Sequence, residues 1–324
     1  MLVSVLLFAV GLVLLIKGGD WFVDGATGIA KRFNLPDIVV GATVVSIGTT
    51  LPEVMVSTTG ALAGSGAMAY GNAIGSIICN TALIAAISIT CNPGPVNVKS
   101  MKTPAIFFFG AAAMYCLAAY GLGTFPRWLG FIMLTVFVVY MVLTVRNGLK
   151  NPDASAEEEE ESSKPKALWQ ELLLLVAGAA VIAVGADLLV EHGQIIAIEL
   201  GVPETVVALL FVALGTSLPE LVTTITSLKK GRASLGVGNV IGANVFNLVL
   251  VSGVAVSLAP FPVPMENELL NTGLNMSLVL DIPVMLGVMS LMIFPTLAAK
   301  KLARWQGILL MGIYVAFCIC QFTL

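Results

Sequence analysis

The hexapeptide Gly48-Thr49-Thr50-Leu51-Pro52-Glu53 returns almost unchanged as Gly215-Thr216-Ser217-Leu218-Pro219-Glu220, and each copy lies inside a long apolar run. A glutamate at the centre of a bilayer-spanning helix costs about 2.5–3.5 kcal/mol on the lenient insertion scales. The pair Glu53 and Glu220 costs about twice that, so something must offset it. A bound cation is the obvious candidate.

The composition is that of a membrane protein. Of the 324 residues, 58% are hydrophobic and only 11% are charged, and the mean hydropathy is +0.98. Ordinary soluble domains carry about 25% charged residues. We therefore predict an all-α polytopic membrane protein. Ten apolar runs are long enough to cross a bilayer as helices, at 2–30, 36–63, 68–91, 103–122, 127–145, 168–197, 203–228, 234–258, 276–298 and 305–323.

Several function classes are disfavoured by the same composition. The net charge of -3, with much of the acid concentrated in Glu157–Glu161, gives no sign of nucleic-acid binding. The five cysteines have no Cys-x-x-Cys spacing and His192 is the single histidine, so neither a disulfide framework nor a zinc site is indicated. The chain has no His-Glu-x-x-His motif and no nucleophile–base pair, so we expect no enzyme and no cofactor.

The chain is two copies of one unit. An offset of 167 residues aligns the first parts of the copies without a gap, and 16 of the 45 positions from Pro36 to Asn80 are identical to their counterparts. Later the offset becomes 177, where Arg127-Trp128-Leu129-Gly130 matches Arg304-Trp305-Gln306-Gly307, so the second copy has gained about ten residues. Each copy holds five spans, and a repeat with an odd number of spans inserts its second copy upside down. We therefore predict inverted transmembrane repeats at 1–147 and 167–324, joined by an acidic cytoplasmic linker at 148–166.

The distribution of basic residues predicts the orientation. Cytoplasmic loops are enriched in lysine and arginine. With the N-terminus outside, the inner loops hold fourteen basic residues and the outer loops hold only Arg127. The predicted location is the cell inner (plasma) membrane, crossed many times, with the lipid bilayer as the surrounding medium.

The linker at 148–166 is rich in Glu, Ser, Lys and Pro. Runs of like charge are usually solvated tethers, which is the interpretation we favour. A cytoplasmic calcium sensor is the alternative, although the run lacks the glycine turns and alternating ligands of such a site.

The two prolines predict interrupted helices. Pro52 has no N–H to give the carbonyl of Gly48 and its ring clashes there, so the second span is expected to break or kink within Ser46–Glu53. The seventh span is expected to be interrupted in the same way at Pro219-Glu220. Carbonyls freed at membrane depth need partners. Hard cations such as Ca²⁺ accept carbonyl, hydroxyl, amide and carboxylate oxygens, and the motif offers all of them.

The third and eighth spans add further polar groups. Asn72, Ser76 and Asn80 recur every four residues and so share one helix face. Inverted repeats bring the two Pro-Glu elements together near the bilayer midplane, which predicts two carboxylates within a ring of neutral oxygens. Each neutral group taken alone is also explained by helix packing or by bonding back to its own helix. The positions 167 residues later hold Asn239, Ala243 and Asn247.

At these residues the chain resembles the calcium/cation antiporter superfamily, the sodium/calcium exchangers, and specifically their short prokaryotic branch. The resemblance rests on the doubled motif Gly-Thr-Thr/Ser-Leu-Pro-Glu, each copy followed by Gly-Asn-x-Ile-Gly and an asparagine, and it covers essentially the whole chain. It implies an antiporter that exchanges calcium for sodium by alternating access, with Ca²⁺ and Na⁺ as transported substrates. A monomer suffices for this activity, and the oligomeric state is left open.

The family's ion site, carried over onto matching positions, implies Glu53 and Glu220 as carboxylates shared by both ions. Two positions depart from the pattern. Ala243 stands where the first repeat has Ser76, and Asn247 stands where some relatives have aspartate, which leaves two carboxylates rather than three. Proton-coupled antiport of calcium or another divalent cation remains the alternative, and a cation channel is a more remote one. The other implied ligands are the side chains of Thr49, Thr50, Ser76, Asn80, Thr216, Ser217 and Asn247 and the carbonyls of Ser46 and Ala213.

Overall fold

The computed structural model describes residues 2–150, 167–200, 215–264 and 275–323. Within these ranges nine helices are long and apolar enough to cross a membrane, judged by length and composition. A shorter helix, α7, covers Leu218–Lys229, the second part of the predicted seventh span. The nine are α1 Leu2–Arg32, α2 Asp37–Leu62, α3 Gly66–Cys91, α4 Val98–Leu122, α5 Arg127–Lys150, α6 Leu168–Glu199, α8 Ala233–Leu258, α9 Ser277–Ala299 and α10 Arg304–Thr323.

The helices α2 and α7, which contain the Pro-Glu pair of each repeat, end in the same way. Gly64 follows α2 with φ +86°, and its counterpart Gly231 follows α7 with φ +72°. Such left-handed residues close a helix because glycine has no Cβ to clash. The next N–H reaches back to a carbonyl of the last turn, from Ser65 to Gly60 at 2.9 Å and from Arg232 to Ser227 at 2.7 Å. The sequence repeat is thus also a repeat of local structure.

Three of the central helices contain a π-helical segment, in which the hydrogen bonds skip one residue more than in an α-helix. The segments are Gly41–Val45 in α2, Asn80–Ala85 in α3 and Asn247–Val251 in α8. The last two are equivalent in the repeats, and each begins at a predicted site asparagine. Such wide turns are frequent at functional sites because they displace backbone groups from the regular ladder.

The predicted interruption at Pro52-Glu53 needs a correction. Ser46–Leu62 is a continuous α-helix that runs through Pro52, and the departure from α geometry lies earlier, at Gly41–Val45. A proline removes a single backbone hydrogen bond, and small local adjustments let a membrane helix continue through it. In the second repeat Thr216 and Ser217 form a turn and α7 starts at Leu218, so there the helix does begin beside the Pro-Glu pair. Pro219 is tolerated because the first turn of a helix needs no N–H donor.

Two short β-ribbons join the repeats. Their strands are β1 Gly94–Pro95, β2 Thr124–Phe125, β3 Phe261–Pro262 and β4 Lys301–Leu302. β1 pairs antiparallel with β4, and β2 pairs antiparallel with β3. The loops after α3 and α9 therefore lie together, as do the loops after α4 and α8. Both pairings agree with a chain that crosses the bilayer ten times, because loops separated by an even number of crossings share a side.

The helices of the repeat motifs form the centre of the molecule. In α8 and α3, 83% and 72% of the most apolar stretch is buried, against 28% in α1 and 22% in α6. The helices α1 and α6 pack chiefly on one another, in antiparallel fashion. A Cβ atom at Gly11 would lie 2.9 Å from the carbonyl oxygen of Gly185, so these two backbones are in direct contact. The first and sixth spans thus form a pair at the periphery of a central bundle.

Candidate functional site

The site begins where α2 and α8 touch through their backbones. A Cβ atom at Gly242 would lie 2.5 Å from the Cα of Ala42, and one at Gly238 would collide with the carbonyl of Ile38. Only glycine permits this approach, because any larger side chain would hold the helices apart. The contact brings Asn239, which lies between these two glycines on α8, against the second helix of the other repeat.

Asn239 accepts a hydrogen bond from the hydroxyl of Thr49, one of the predicted ion ligands. The Thr49 hydroxyl donates to Asn239 Oδ1 at 3.1 Å, and this pair is fully buried. The Ser46 Oγ lies 3.0 Å from the carbonyl oxygen of Asn239 and 2.8 Å from that of Gly41, at the start of the π-helical segment. Residues of the first repeat are therefore fixed by an asparagine of the second.

The equivalent residues make the reciprocal contact. The Thr216 hydroxyl, in the turn before α7, donates to Asn72 Oδ1 on α3 at 3.2 Å. Asn72 in turn donates from Nδ2 to the Glu53 carbonyl at 3.3 Å and to Ser57 Oγ at 2.8 Å. Since Thr216 and Asn72 stand 167 residues from Thr49 and Asn239, the two hydrogen bonds are related by the repeat and cross between its halves.

Glu53 and Glu220 lie at the centre of these contacts, both with 0% exposure. Among the described residues, none of their four carboxylate oxygens has a hydrogen-bond partner of ordinary geometry. The helices that carry them, α2 and α7, pack against each other. Thr49 lies beside Glu220, but its hydroxyl is directed to Asn239. Two adjacent buried carboxylates without partners carry a high desolvation cost, which a bound cation removes.

Apart from Thr216, which is half-buried, the neutral residues predicted for the site that the structure describes are also buried. Ser76 lies on α3, one turn before Asn80. The segment that begins at Asn80 packs against α7, and the equivalent one at Asn247 packs against α2. Ala213 lies outside the described residues. Within the described part of the chain, buried polar atoms without a hydrogen-bond partner occur in the side chains of Thr50, Asn80, Ser217 and Asn247.

This donor set suits a hard cation. Within the described ranges there is no cluster of three or more His, Cys, Asp or Glu side chains. The two carboxylates are instead accompanied by hydroxyl and amide oxygens from four helices. Calcium takes six to eight oxygen ligands in flexible geometry, and carboxylate, amide and hydroxyl oxygens are ligands of this kind.

Two features of the structure were absent from the predicted ligand set. Asn72 and Asn239 connect the repeats, and the repeated Gly-Asn-x-Ile-Gly was the signal that marked them. The second feature is a group of ion pairs. Arg32 at the end of α1 pairs with Glu171 at the start of α6 at 2.9 Å, and Lys230 pairs with Asp24 at 2.7 Å. Both pairs join segments that the sequence places at the same membrane face.

Comparison with known proteins identifies the family. The family model described as sodium/calcium exchanger protein matches residues 3–146 and 171–323. The chain belongs to the sodium/calcium exchanger family. The stretch between the two matched segments contains the predicted linker at 148–166. The resemblance read from the doubled motif is therefore confirmed.

Individual relatives of this exchanger-family chain cover nearly its full length. It is 33% identical over 308 residues to an uncharacterized membrane protein of Methanocaldococcus jannaschii, covering 95% of this chain and 94% of that protein. It is 29% identical over 355 residues to the sodium/calcium exchanger MaX1 of Methanosarcina acetivorans, covering 99% of each.

A solved structure matches the fold. It is the sodium-calcium exchanger NCX_Mj soaked with 2.5 mM Na⁺ and 10 mM Sr²⁺, with a TM-score of 0.79 and 31% identity, covering 100% of this chain and 99% of that one. The all-helical membrane fold is thus confirmed. The exchanger family consists of membrane antiporters of cations rather than enzymes, and the chain is a multi-pass membrane protein.

Proposed function

We propose that the protein is a secondary antiporter that exchanges Ca²⁺ for Na⁺ by alternating access at a site centred on Glu53 and Glu220, with the hydroxyl oxygens of Thr49 and Thr216 among its ligands. One observation carries the proposal. The two symmetry-related carboxylates are fully buried at the centre of the bundle, and their oxygens have no protein hydrogen-bond partner among the described residues. Acidic residues at membrane depth mark ion pathways by default, because an uncompensated charge is costly there.

Exchange follows from the charge of the site. Two carboxylates bear two negative charges, so one Ca²⁺ neutralises them. Sodium ions use the same oxygens, so the two ions compete for Glu53 and Glu220. Because charges interact strongly in a buried site, loading with one ion strongly disfavours the other. The protein then crosses between its two states with either ion bound, and net flux of one ion requires return of the other.

Alternating access is supported by the peripheral pair α1 and α6. These two helices pack on each other along their length and are among the least enclosed in the bundle. In inverted-repeat transporters, one part of the molecule rocks or slides against the rest around a fixed central site. We assign that movement to α1 and α6, with the N-terminus outside the cell and the linker at 148–166 in the cytoplasm, as the basic residues predict.

Sodium as the coupling ion is supported by the relatives. MaX1 carries the name sodium/calcium exchanger, and the matched structure is that of a sodium-calcium exchanger soaked with Na⁺ and Sr²⁺. Sr²⁺ is a larger divalent ion of the same chemical group as Ca²⁺, and it prefers the same oxygen ligands.

A vesicle experiment tests the proposal. Purified protein is reconstituted into liposomes loaded with Na⁺ and diluted into Na⁺-free buffer that contains ⁴⁵Ca²⁺. We expect saturable Ca²⁺ uptake that disappears when the interior holds choline instead of Na⁺. Uptake that follows an imposed pH gradient and ignores Na⁺ would replace sodium coupling by proton coupling. Flux that neither saturates nor depends on a counter-ion would indicate a channel.

A further inference from the structure

The crossed hydrogen bonds between the repeats have a consequence for the ion ligands. A threonine hydroxyl has one proton and two lone pairs, whereas an asparagine Oδ1 can only accept. The Thr49 proton is therefore directed to Asn239 Oδ1, and the Thr216 proton to Asn72 Oδ1. The competing acceptor on the helix of Thr49 itself, the Ser46 carbonyl, lies 3.5 Å away, at the limit of a hydrogen bond.

The orientation of the amide of Asn72 is fixed by its neighbours. Its Nδ2 faces the carbonyl oxygen of Glu53 at 3.3 Å, and that oxygen can only accept. The Oδ1 atom must then face Thr216. For Asn239, Oδ1 lies 3.1 Å from the Thr49 hydroxyl, which donates to it, and 3.3 Å from Ser46 Oγ, whose own proton has the nearer carbonyl oxygen of Gly41 at 2.8 Å. In the structure both asparagines place Oδ1 toward the hydroxyl of the opposite repeat.

We propose that Asn72 and Asn239 are positioning residues for ion binding, which turn the Thr216 and Thr49 protons away from the ion so that oxygen lone pairs face it. This inference rests on the proposed function, in which both threonine oxygens are ligands of the transported cation. A hydroxyl whose proton pointed at the ion would repel it. Fixing the proton in advance removes the reorientation cost from each binding event.

The second copy of the motif Gly-Asn-x-Ile-Gly thereby acquires a physical reason. On α8, Gly238 and Gly242 flank Asn239 and hold the backbone against α2. An asparagine side chain is short, so its amide reaches Thr49 only where the two helices are in contact. On α8 these glycines and Asn239 form one unit that places an acceptor of the second repeat next to a hydroxyl of the first.

A double-variant cycle tests the proposal in the reconstituted exchanger. Asn239→Leu removes the acceptor at similar volume, and Thr49→Val removes the hydroxyl. We expect each single variant to raise the half-saturating Ca²⁺ concentration roughly tenfold, the scale of one lost hydrogen bond. The maximal rate should change much less. Because Asn239 acts through Thr49, the double variant should be no weaker in Ca²⁺ affinity than Thr49→Val alone.

The matched control is Asn244→Leu. Asn244 is equally buried on α8 but donates to Thr81 Oγ1 at 2.7 Å, away from the hydroxyls of Thr49 and Thr216. When Asn244→Leu is combined with Thr49→Val, the fold-changes in half-saturating Ca²⁺ concentration should multiply, as expected for independent sites. Asn72→Leu with Thr216→Val forms a second, independent cycle, so the proposal stays testable if one variant does not fold.

The outcomes distinguish an error in the proposed ion ligands from an error in the positioning role of the asparagines. If Thr49→Val and Thr216→Val leave Ca²⁺ affinity unchanged, the ligand set in the proposed function is incorrect. If both threonine variants weaken binding but the asparagine variants bind normally, or if their effects multiply in the double variants, the positioning role is overturned. Non-multiplicative cycles at both pairs support it.

Discussion

The two halves of the site have nearly the same sequence and different surroundings. In one half, Thr49 and Asn239 are 1% and 0% exposed. In the other, Thr216 and Asn72 are only partly buried. The hydrogen bond between hydroxyl and amide is present in both, at 3.1 and 3.2 Å. The site is therefore more open at its Asn72 end, while the hydroxyl–amide hydrogen bond is kept in both halves.

The amide nitrogens of the two asparagines also differ, in whether they have a hydrogen-bond partner. Asn72 donates to Ser57 Oγ at 2.8 Å. The equivalent pair is Asn239 and Thr224, and neither Asn239 Nδ2 nor Thr224 Oγ1 has a partner in the described part of the chain. One sequence unit thus adopts two packings within a single molecule. A transporter built from inverted repeats needs two such packings of similar free energy, because its inward- and outward-open states interchange the roles of the halves.

The largest effect on transport is expected from substitution of either carboxylate, and the two halves should respond equally. In the proposed site, Glu53→Gln and Glu220→Gln each remove one of the two charges that would balance Ca²⁺, and each should lower Na⁺-driven Ca²⁺ uptake by roughly 100-fold or more. Glu191→Gln makes the same change at an exposed position on α6 and serves as the control, with uptake unchanged. Full activity in either site variant would show that the substituted glutamate is not part of the ion site.

The next effect concerns the buried half, where the backbones touch. Gly242→Ala places a methyl group about 2.5 Å from the Cα of Ala42 and should destabilise the protein by about 1–3 kcal/mol, the usual cost of overpacking. Gly110→Ala on α4 is the control, because a Cβ there meets nothing within 4 Å among the described residues. Thermal unfolding in detergent measures both. Equal melting temperatures would mean that α2 and α8 are free to separate.

The smallest effect compares the two amide partners directly. Ser57→Ala removes an acceptor from Asn72 and should cost about 0.5–1.5 kcal/mol. Thr224→Val removes a buried hydroxyl that has no partner in the described structure, so its stability should be unchanged or higher. The two variants serve as controls for each other in the same unfolding measurement. Equal losses would show that the halves are energetically alike.

Much of the fold was predictable because its signals are local. The apolar runs predicted spans whose ends differ by a few residues from the ends of the observed helices. For example, α5 continues to Lys150, three residues into the predicted linker. The Pro52 prediction failed in detail for a physical reason. A proline costs one hydrogen bond, but whether the helix breaks there depends on neighbouring helices that no local pattern describes.

The sequence by itself determined the repeat, the two glutamates and the inverted architecture. Each of these follows from hydrophobicity and from identity at a fixed offset, which are properties of the linear chain. Only the tertiary structure decided that Thr49 bonds to Asn239 and Thr216 to Asn72. Each partner lies more than 140 residues away, and for Thr49 and Asn239 glycine contacts between α2 and α8 bring the two together. The difference between the halves is likewise tertiary, because near-identical units acquire different surroundings only when they pack against each other.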